Sequence, residues 1–288
     1  MTTEIAVVSG KGGTGKTTIS AAFMAISKNT VIADCDVDAP DLHILLQPEN
    51  TLKSEFQSSK VAVIDTDLCT LCGICAEHCR FDAIDPPHLN PLACDGCGVC
   101  AFVCPERAVK MSDTTSGYLY QSNTRFGPMS HAKLLPGEGN SGKLVTAVRT
   151  QAKDLGETSG RQIVLIDGSP GIGCPVIATI AGINLGVIVT EPTMSGIHDL
   201  KRVVTLMERF RVPSMVLVNK WDLNPENTTK IEEFCSENEV EFLGRIPFDS
   251  IMTESMVAGM TLPEYASEHK ITGLLAEMWA KIAECISP

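Results

Sequence analysis

With 288 residues, 44% of them hydrophobic, the chain is long enough for one large α/β domain and a second small one. Its net charge is −12 and aromatic residues make up only 5%, which argues against a nucleic-acid partner and against binding to an anionic membrane surface. No signal peptide precedes the first strand and no apolar run reaches the ~20 residues that span a bilayer, so we expect a cytoplasmic protein without membrane insertion.

A glycine-rich loop lies between the first predicted strand, residues 4–8, and a predicted helix, residues 18–27. It matches G-x-x-x-x-G-K-(S/T), in which glycines let backbone N–H groups point at phosphate oxygens beside a helix N-terminus. Lys16 is expected to reach the β- and γ-phosphates, and the Thr17 hydroxyl to ligate Mg²⁺. The residues expected to bind the nucleotide here are Gly10, Lys11, Gly12, Gly13, Thr14, Gly15, Lys16, Thr17 and Thr18.

A second lysine, Lys11, stands inside this loop. The run Lys-Gly-Gly-Thr-Gly-Lys-Thr resembles the deviant phosphate loop of the MinD/ParA/nitrogenase-iron-protein superfamily. The resemblance implies that Lys11 crosses the interface of a homodimer to the nucleotide of the partner subunit. It would supply a cation to the developing phosphoryl charge, as an arginine finger does. The resemblance also implies an ATPase whose hydrolysis is slow without a partner, with Lys11 and Lys16 among its catalytic residues.

Acidic residues follow the second predicted strand, Thr30–Asp34. Carboxylates just beyond the carboxyl end of a strand, near a phosphate loop, lie where ligands bind in an open α/β sheet. The family has its first switch segment here. The resemblance implies that Asp36 orients or deprotonates the attacking water and that Asp38 contributes to Mg²⁺ binding through water. The alternative is a capping cluster for a helix at residues 41–46.

Eight of the twelve cysteines form two copies of the run C-x₂-C-x₂-C-x₃-C, offset by 25 residues. In a cytosolic chain this density indicates metal binding, and the run is that of bacterial ferredoxins with two 4Fe–4S clusters. Three cysteines on a tight loop cover one face of a cube, whereas the fourth points away and serves the other cluster. The first cluster is expected on Cys69, Cys72, Cys75 and Cys104, and the second on Cys79, Cys94, Cys97 and Cys100.

Zinc is the alternative metal, since zinc modules also use Cys-x₂-Cys pairs. It does not account for four evenly spaced cysteines twice over, so the ferredoxin interpretation is favoured. The first copy departs from the usual run at Arg80, where the second copy carries Pro105. A polar group next to the Cys79 thiolate changes the surroundings of its cluster and therefore the potential.

Beyond the cysteines, residues 118–120 and 131–135 predict two strands of a hairpin, and Ser141 is the predicted cap of a helix at residues 142–155.

A buried strand, residues 162–167, then ends in the run Asp-Gly-Ser-Pro-Gly-Ile-Gly. An aspartate at this place holds Mg²⁺ through water in phosphate-loop enzymes, so we assign that role to Asp167. The run matches D-x-x-P-G-x-G, the second switch of the family, which implies a Gly171 N–H near the γ-phosphate. Cys174 follows, and a small buried thiol is its favoured interpretation over a cluster ligand.

Base recognition is predicted at two later strand ends. Asn219–Asp222 matches N-K-x-D, which taken alone is the guanine-reading motif of GTPases. The family resemblance instead implies that Asn219 contacts adenine and that the run around Pro247 forms the base-contacting loop. The phosphate loop and both switches favour ATP over GTP. The last predicted helix, residues 272–286, has no basic cluster and is expected to pack on the core, not on a membrane.

Strands alternate with helices outside the cysteine region, which predicts a doubly wound, mainly parallel α/β sheet with helices on both faces. The predicted domains are a phosphate-loop ATPase domain, residues 1–57 and 113–288, and an inserted small α+β ferredoxin-like domain with two clusters, residues 58–112. The whole chain resembles a MinD-superfamily ATPase with such an insertion.

The motifs in the sequence are compatible with three functions. In the first, binding and hydrolysis of Mg-ATP by a homodimer gate electron transfer through the two 4Fe–4S clusters to a redox partner protein, and ADP is the product. The second is an ATP-dependent iron–sulfur cluster carrier or assembly factor, which complete ferredoxin runs make less favoured. The third is a non-catalytic, redox-sensing nucleotide-binding protein.

Overall fold

The computed structural model describes residues 2–286, which divide into two compact units. Unit 1 comprises residues 2–54, 119–133 and 141–286. Unit 2 comprises residues 55–118 and 134–140. Among the described helices, none combines the length and the apolar character needed to cross a lipid bilayer.

Strands and helices alternate through unit 1. The strands of the chain are β1 (Thr3–Ser9), β2 (Thr30–Asp34), β3 (Glu49–Ile64), β4 (Ile84–Asp85), β5 (His88–Leu89), β6 (Val109–Thr124), β7 (Gly127–Leu134), β8 (Ile163–Pro170), β9 (Leu185–Thr190), β10 (Ser214–Asn219) and β11 (Glu241–Ile246). The helices are α1 (Lys16–Ile26), α2 (Leu42–Leu46), α3 (Ile74–Glu77), α4 (Val99–Val103), α5 (Ser141–Ser159), α6 (Cys174–Ile180), α7 (Met194–Arg209), α8 (Pro225–Glu237), α9 (Ile251–Val257), α10 (Leu262–Tyr265) and α11 (Lys270–Ile286).

Within residues 2–286, nine strands form one sheet in the order β11-β10-β9-β1-β8-β2-β7-β6-β3. Neighbours from β11 to β7 pair in parallel. At the other end, the Thr51 and Ser54 side chains of β3 bond to Ser122 and Leu119 of β6, so these two strands run in opposite directions. The predicted fold class, a doubly wound and mainly parallel α/β sheet, is confirmed.

The carboxyl ends of β1 and β8 lie where the strand order reverses. The chain leaves β1 toward β2 on one side of the sheet, and it leaves β8 toward β9 on the other. Ligands bind at such a switch point in open α/β sheets, because the loops diverge there and leave a crevice. The loop after β1 is the one that the sequence assigns to phosphate, and Asp167, which the sequence assigns to Mg²⁺, lies in the carboxyl-terminal half of β8.

Both faces of this sheet are buried. Ile5 and Val7 pack in one apolar cluster with Phe23 of α1 and Leu275 of α11. The alternate residues of β1 are equally buried, because α6 and α7 also contact that strand. Near-continuous apolar strands of this kind are typical of parallel sheets covered on two sides.

A buried ion pair ties β1 to α5. The Arg149 guanidinium donates to both carboxylate oxygens of Glu4, with N–O distances of 3.0 and 2.9 Å, and also to the Ala178 and Ala181 carbonyls of the α6 region. Lys153 approaches the same carboxylate at 2.7 Å. The bidentate geometry satisfies both charges away from water.

Glu4→Gln is expected to lower the free energy of unfolding by about 3–5 kcal/mol, because it leaves the Arg149 charge buried without its counter-ion. The measurement is the urea unfolding midpoint of the whole chain. Glu232→Gln is the matched control, since it breaks an exposed 3.4 Å pair with Arg245 and should cost less than about 1 kcal/mol. Equal midpoints for the two variants would contradict this assignment.

Unit 2 repeats its hydrogen bonds as well as its sequence. The Cys79 Sγ accepts the Ala83 N–H at 3.4 Å, and the Cys104 Sγ accepts the Ala108 N–H at 3.3 Å. Helices α3 and α4 each begin after a glycine with a left-handed backbone, with φ values of 80° and 77°. The small core of the unit consists of Ala62, Cys75, Ala83, Ile84, Cys100 and Val109.

Candidate functional site

The phosphate loop occupies the turn between β1 and α1. Gly15 caps α1 with φ at 89°, and Gly13 has φ at 79°, both in the left-handed region that favours glycine. Position 10 accepts only glycine for a different reason. A Cβ at Gly10 would overlap the Cβ of Asp199 and lie 2.9 Å from the Asp199 carbonyl oxygen. The loop can curl only because these positions carry no side chain.

Gly10→Ala is expected to destabilise the fold by about 1–3 kcal/mol, since the Asp199 backbone cannot yield as a flexible side chain would. The check is the thermal unfolding midpoint. Gly12→Ala provides the comparison, because nothing lies within 4 Å of a Cβ at that position. If both alanine variants unfolded at the same temperature, the close approach to Asp199 would carry no energetic weight.

Lys16 and Asp167 meet at the centre of the site. Their Nζ and Oδ1 atoms lie 3.0 Å apart and both residues are buried. Burial alone would lower the pKa of Lys16, but the neighbouring Asp167 carboxylate, joined by Asp36 and Asp34, keeps the pKa above its usual value. Lys16 therefore carries its charge where phosphate oxygens are expected.

Two hydroxyls converge on the same carboxylate. Thr17 donates to Asp167 Oδ2 at 2.8 Å, and Ser20 donates to Oδ1 at 2.9 Å. Thr17 and Asp167 thus present adjacent oxygen atoms, the ligand type that Mg²⁺ prefers. The residues present fit the magnesium ion that the sequence assigns to them.

The acidic segment after β2 places its carboxylates at different depths. Asp36 is half-buried, and burial, followed in strength by the partly compensating Lys16 charge, leaves its pKa raised to about 6. Asp34 is completely buried, and its Oδ1 accepts the Asp36 N–H at 3.1 Å. Asp38 is exposed.

Asp34 is a residue that the sequence analysis left out of the site. Burial and the nearby Asp167 carboxylate raise its pKa well above the usual range, and its Oδ2 has no hydrogen-bond partner among the described residues. It stands opposite Asp167 in the register of β2 and β8. The available signal in the sequence was an aspartate following a buried apolar run at both places, Asp34 at the end of β2 and Asp167 within β8.

A cavity of about 470 Å³ opens over the loop, within the range of small-molecule sites. Asp36, Phe248 and Asp249 contribute to its wall. The predicted site residues that line it are Gly12, Gly13, Thr14, Gly15, Lys16, Thr17, Thr18, Asp36, Asn219 and Pro247. One cavity therefore brings together the phosphate loop, the first switch and the two base-contacting positions.

Gly171 of the second switch is engaged elsewhere. Its N–H donates to the Ser9 carbonyl at 2.8 Å, and its φ is 97°. The role predicted for this N–H at the γ-phosphate therefore requires that bond to break. Cys174 begins α6 and is exposed, so its interpretation as a buried thiol is wrong.

Lys11 is held by its own chain. Its Nζ lies 3.2 Å from Glu191 Oε2, 3.3 Å from the Thr193 hydroxyl and 3.4 Å from the Ser195 hydroxyl. Glu191 also pairs with Lys220 at 2.6 Å. Burial would raise the pKa of Glu191, but the Lys220 and Lys11 ammonium groups hold it below its usual value.

Glu191 is a second residue missed by sequence reasoning. It follows β9 directly, and β9 is a neighbour of β1 in the sheet. A carboxylate at that strand end, beside two lysines of the site, was the signal. In this arrangement Lys11 must leave Glu191 before it can reach any nucleotide.

The eight cysteines of the two runs line two separate cavities in unit 2. In each cavity three cysteines come from one run and the fourth from the other run. Cys69, Cys72, Cys75 and Cys104 line the first, and Cys79, Cys94, Cys97 and Cys100 line the second. The donor set and the exchange of the fourth cysteine fit the two 4Fe–4S clusters assigned from the spacing.

Comparison with known proteins supports the assignment of a nucleotide-binding site to the cavity over the phosphate loop. Residues 5–262 match the CobQ/CobB/MinD/ParA nucleotide binding domain. An uncharacterized protein of Methanocaldococcus jannaschii is 32% identical over 286 residues, covering 98% of this chain and 97% of that protein. An iron-sulfur cluster carrier protein of Pyrococcus horikoshii is 23% identical over 281 residues, covering 91% and 79%.

Among solved structures, the cell division ATPase MinD of Pyrococcus furiosus has the same fold. Its TM-score is 0.62 at 19% sequence identity, and the alignment covers 99% of both chains. The family match spans the phosphate loop, both switch segments and the base-contacting loop. This chain therefore belongs to the CobQ/CobB/MinD/ParA family of nucleotide-binding domains.

Proposed function

We propose that this chain is a Mg-ATP-dependent ATPase that acts as a homodimer and couples ATP binding and hydrolysis to electron transfer through two 4Fe–4S clusters. The observation that carries the proposal is the pair of four-cysteine cavities in a chain that also has a phosphate-loop cavity. When bound, each cluster supplies a one-electron carrier. A complete set of four thiolates favours permanent clusters over cargo in transit.

The residues around Asp167 support the hydrolytic half of the proposal. Lys16 neutralises the phosphates, and Thr17 with Asp167 holds Mg²⁺. On nucleotide binding Lys16 exchanges the Asp167 carboxylate for phosphate oxygens, a replacement of one anion by another. Asp36, in the cavity wall, orients the attacking water.

The position of Lys11 supports the dimer. Its side chain is 30% exposed, and its ammonium group binds Glu191 at the margin of its own site. A second subunit would offer that ammonium group the stronger charge of a nucleotide. The cation then acts on phosphoryl charge across the interface, which makes hydrolysis depend on dimer formation.

The order of elements along the chain supports the coupling. Asp36 precedes β3, through which the chain enters unit 2, and the second switch follows after the chain has returned. Contacts to the γ-phosphate order such switch segments, and hydrolysis releases them. A change of ATP state would therefore act on two switch segments that precede and follow the cluster-bearing residues 55–118 along the chain.

The test is electron transfer from the chemically reduced protein to ferredoxin and to a one-electron dye, with and without MgATP. We expect MgATP to change the rate at least about tenfold, and Lys16→Ala to abolish the change while leaving the clusters in place. The same rate with and without MgATP would contradict the gating proposal.

The second candidate is a cluster carrier, and it is favoured by the similarity to a protein named as an iron-sulfur cluster carrier. The same reduced protein separates the two functions. Incubation with apo-ferredoxin should leave the iron content of this chain unchanged if the clusters are permanent. MgATP-dependent loss of iron to apo-ferredoxin would establish the carrier instead.

A further inference from the structure

The residues of the N-K-x-D motif, Asn219 to Asp222, contact two different parts of the structure. Asn219, only 5% exposed, donates its side-chain N–H to the Thr14 carbonyl at 2.8 Å. Lys220 reaches the Gly13 carbonyl with its Nζ at 3.4 Å. Both residues therefore brace the phosphate loop from the side of β10.

Asp222, the last residue of the motif, does something else. It is exposed in the 3-10 turn Trp221–Leu223, and among the described residues the cavity wall includes Asn219 and Lys220 but not Asp222. Its Oδ1 accepts the backbone N–H of Phe248 at 2.6 Å. A short bond to an ionised acceptor is of the stronger kind.

That bond fixes a part of the cavity wall. Pro247, Phe248 and Asp249 all line the cavity, on a segment that leaves β11 without regular structure before α9. Asp249 secures the far end of this segment by accepting the Ile251 N–H at 3.2 Å. Asp222 secures the near end.

Reading of guanine requires a different use of this carboxylate. Guanine presents N1–H and an exocyclic amine, so a guanine-reading aspartate must offer its oxygens to the base as acceptors. Here one oxygen is committed to Phe248, and the side chain stands outside the cavity wall.

We propose that Asp222 is a positioning residue that holds the Pro247–Asp249 segment against the base of the nucleotide, so that N-K-x-D in this chain builds an adenine site and reads no guanine. The inference rests on the ATP site of the proposed function. In GTPases this motif reads the base directly, whereas here its aspartate fixes the position of the Pro247–Asp249 segment in the cavity wall.

The test compares Asp222→Ala with Asp222→Asn in the full chain with its clusters. Alanine removes the acceptor, whereas asparagine retains an Oδ1 that can accept the Phe248 N–H. We expect Asp222→Ala to raise the KM and Kd for MgATP about tenfold with kcat unchanged, and Asp222→Asn to stay within about twofold of the parent chain. Glu226→Ala, which removes an exposed carboxylate at the start of α8, should change none of these constants.

Xanthosine triphosphate distinguishes positioning from base reading. An asparagine in place of a guanine-reading aspartate turns an acceptor into a donor that matches the C2 carbonyl of xanthine. We expect neither variant to bind MgXTP, and we expect the parent chain to bind MgATP more tightly than MgGTP. Tighter binding of MgXTP than MgATP by Asp222→Asn would overturn the inference.

Three further outcomes are decisive. Unchanged MgATP affinity in Asp222→Ala would overturn the positioning role. A lower unfolding midpoint in Asp222→Ala, without the split between KM and kcat, would overturn it in favour of a purely structural bond. A parent chain that binds no MgATP at all would overturn the ATP site itself and this inference with it, and a failure of the proposed function would thereby be recognised.

Discussion

Replacing Cys69 and Cys104 together by serine is expected to remove one cluster and leave the other intact. Both side chains line the same cavity, although they belong to different cysteine runs. Loss of two thiolates from one site should leave about half of the iron and one isolated spin signal in the reduced protein. Iron analysis and electron paramagnetic resonance of the anaerobically purified chain measure this.

The matched variant replaces Cys69 and Cys79, which belong to one run but line different cavities. It has the same number of substitutions and should damage both clusters. If each run instead held its own cluster, the results of the two double variants would be interchanged. The comparison therefore tests the exchange of the fourth cysteine and not merely the need for cysteines.

Lys11→Ala is expected to reduce ATP turnover about 10³-fold or more while MgATP binding remains, because a cation supplied in trans acts on transition-state charge. Asp36→Asn should be equally inactive, since it removes the residue that we propose to orient the attacking water. Lys28→Ala, an exposed lysine just after α1, is the control and should turn over ATP at the parental rate.

Mixing the two inactive variants shows where Lys11 acts. A mixed dimer has one site with an intact Asp36 that faces an intact Lys11 from the other subunit. Random mixing should recover roughly a quarter of parental activity, since half of the dimers are mixed and each has one complete site. A mixture as inactive as its components would mean that Lys11 acts within its own subunit.

The phosphate loop and the cysteine runs could be predicted because each is local. Their chemistry requires particular residues a few positions apart, and residues 12–18 of the loop line the cavity at Lys16, while four of the cysteines line the cavity at Cys75. The predicted hairpin is also present, although β6 and β7 are longer than expected. These features depend on hydrogen bonds between residues close together in the chain, so the order of residues is enough to predict them.

Strand β3 could not be predicted in this way. Residues 51–55 of β3 are exposed, with Leu52 67% exposed, so no apolar alternation marks this part of the strand. Its pairing with β6 supplies the hydrogen bonds that define it, and β6 lies far along the chain. A stretch of strand without a buried face, such as residues 51–55, has no hydrophobic period to detect.

By itself the sequence determined the mainly parallel α/β fold, the phosphate loop and the two cysteine runs. Only the tertiary structure decided which charges meet. Glu191 holds Lys11, Arg149 holds Glu4, and the Asp222 carboxylate faces Phe248. The reason is that ionic and hydrogen-bond energies depend on distance and burial, and neither quantity is present in the spacing of residues along a chain.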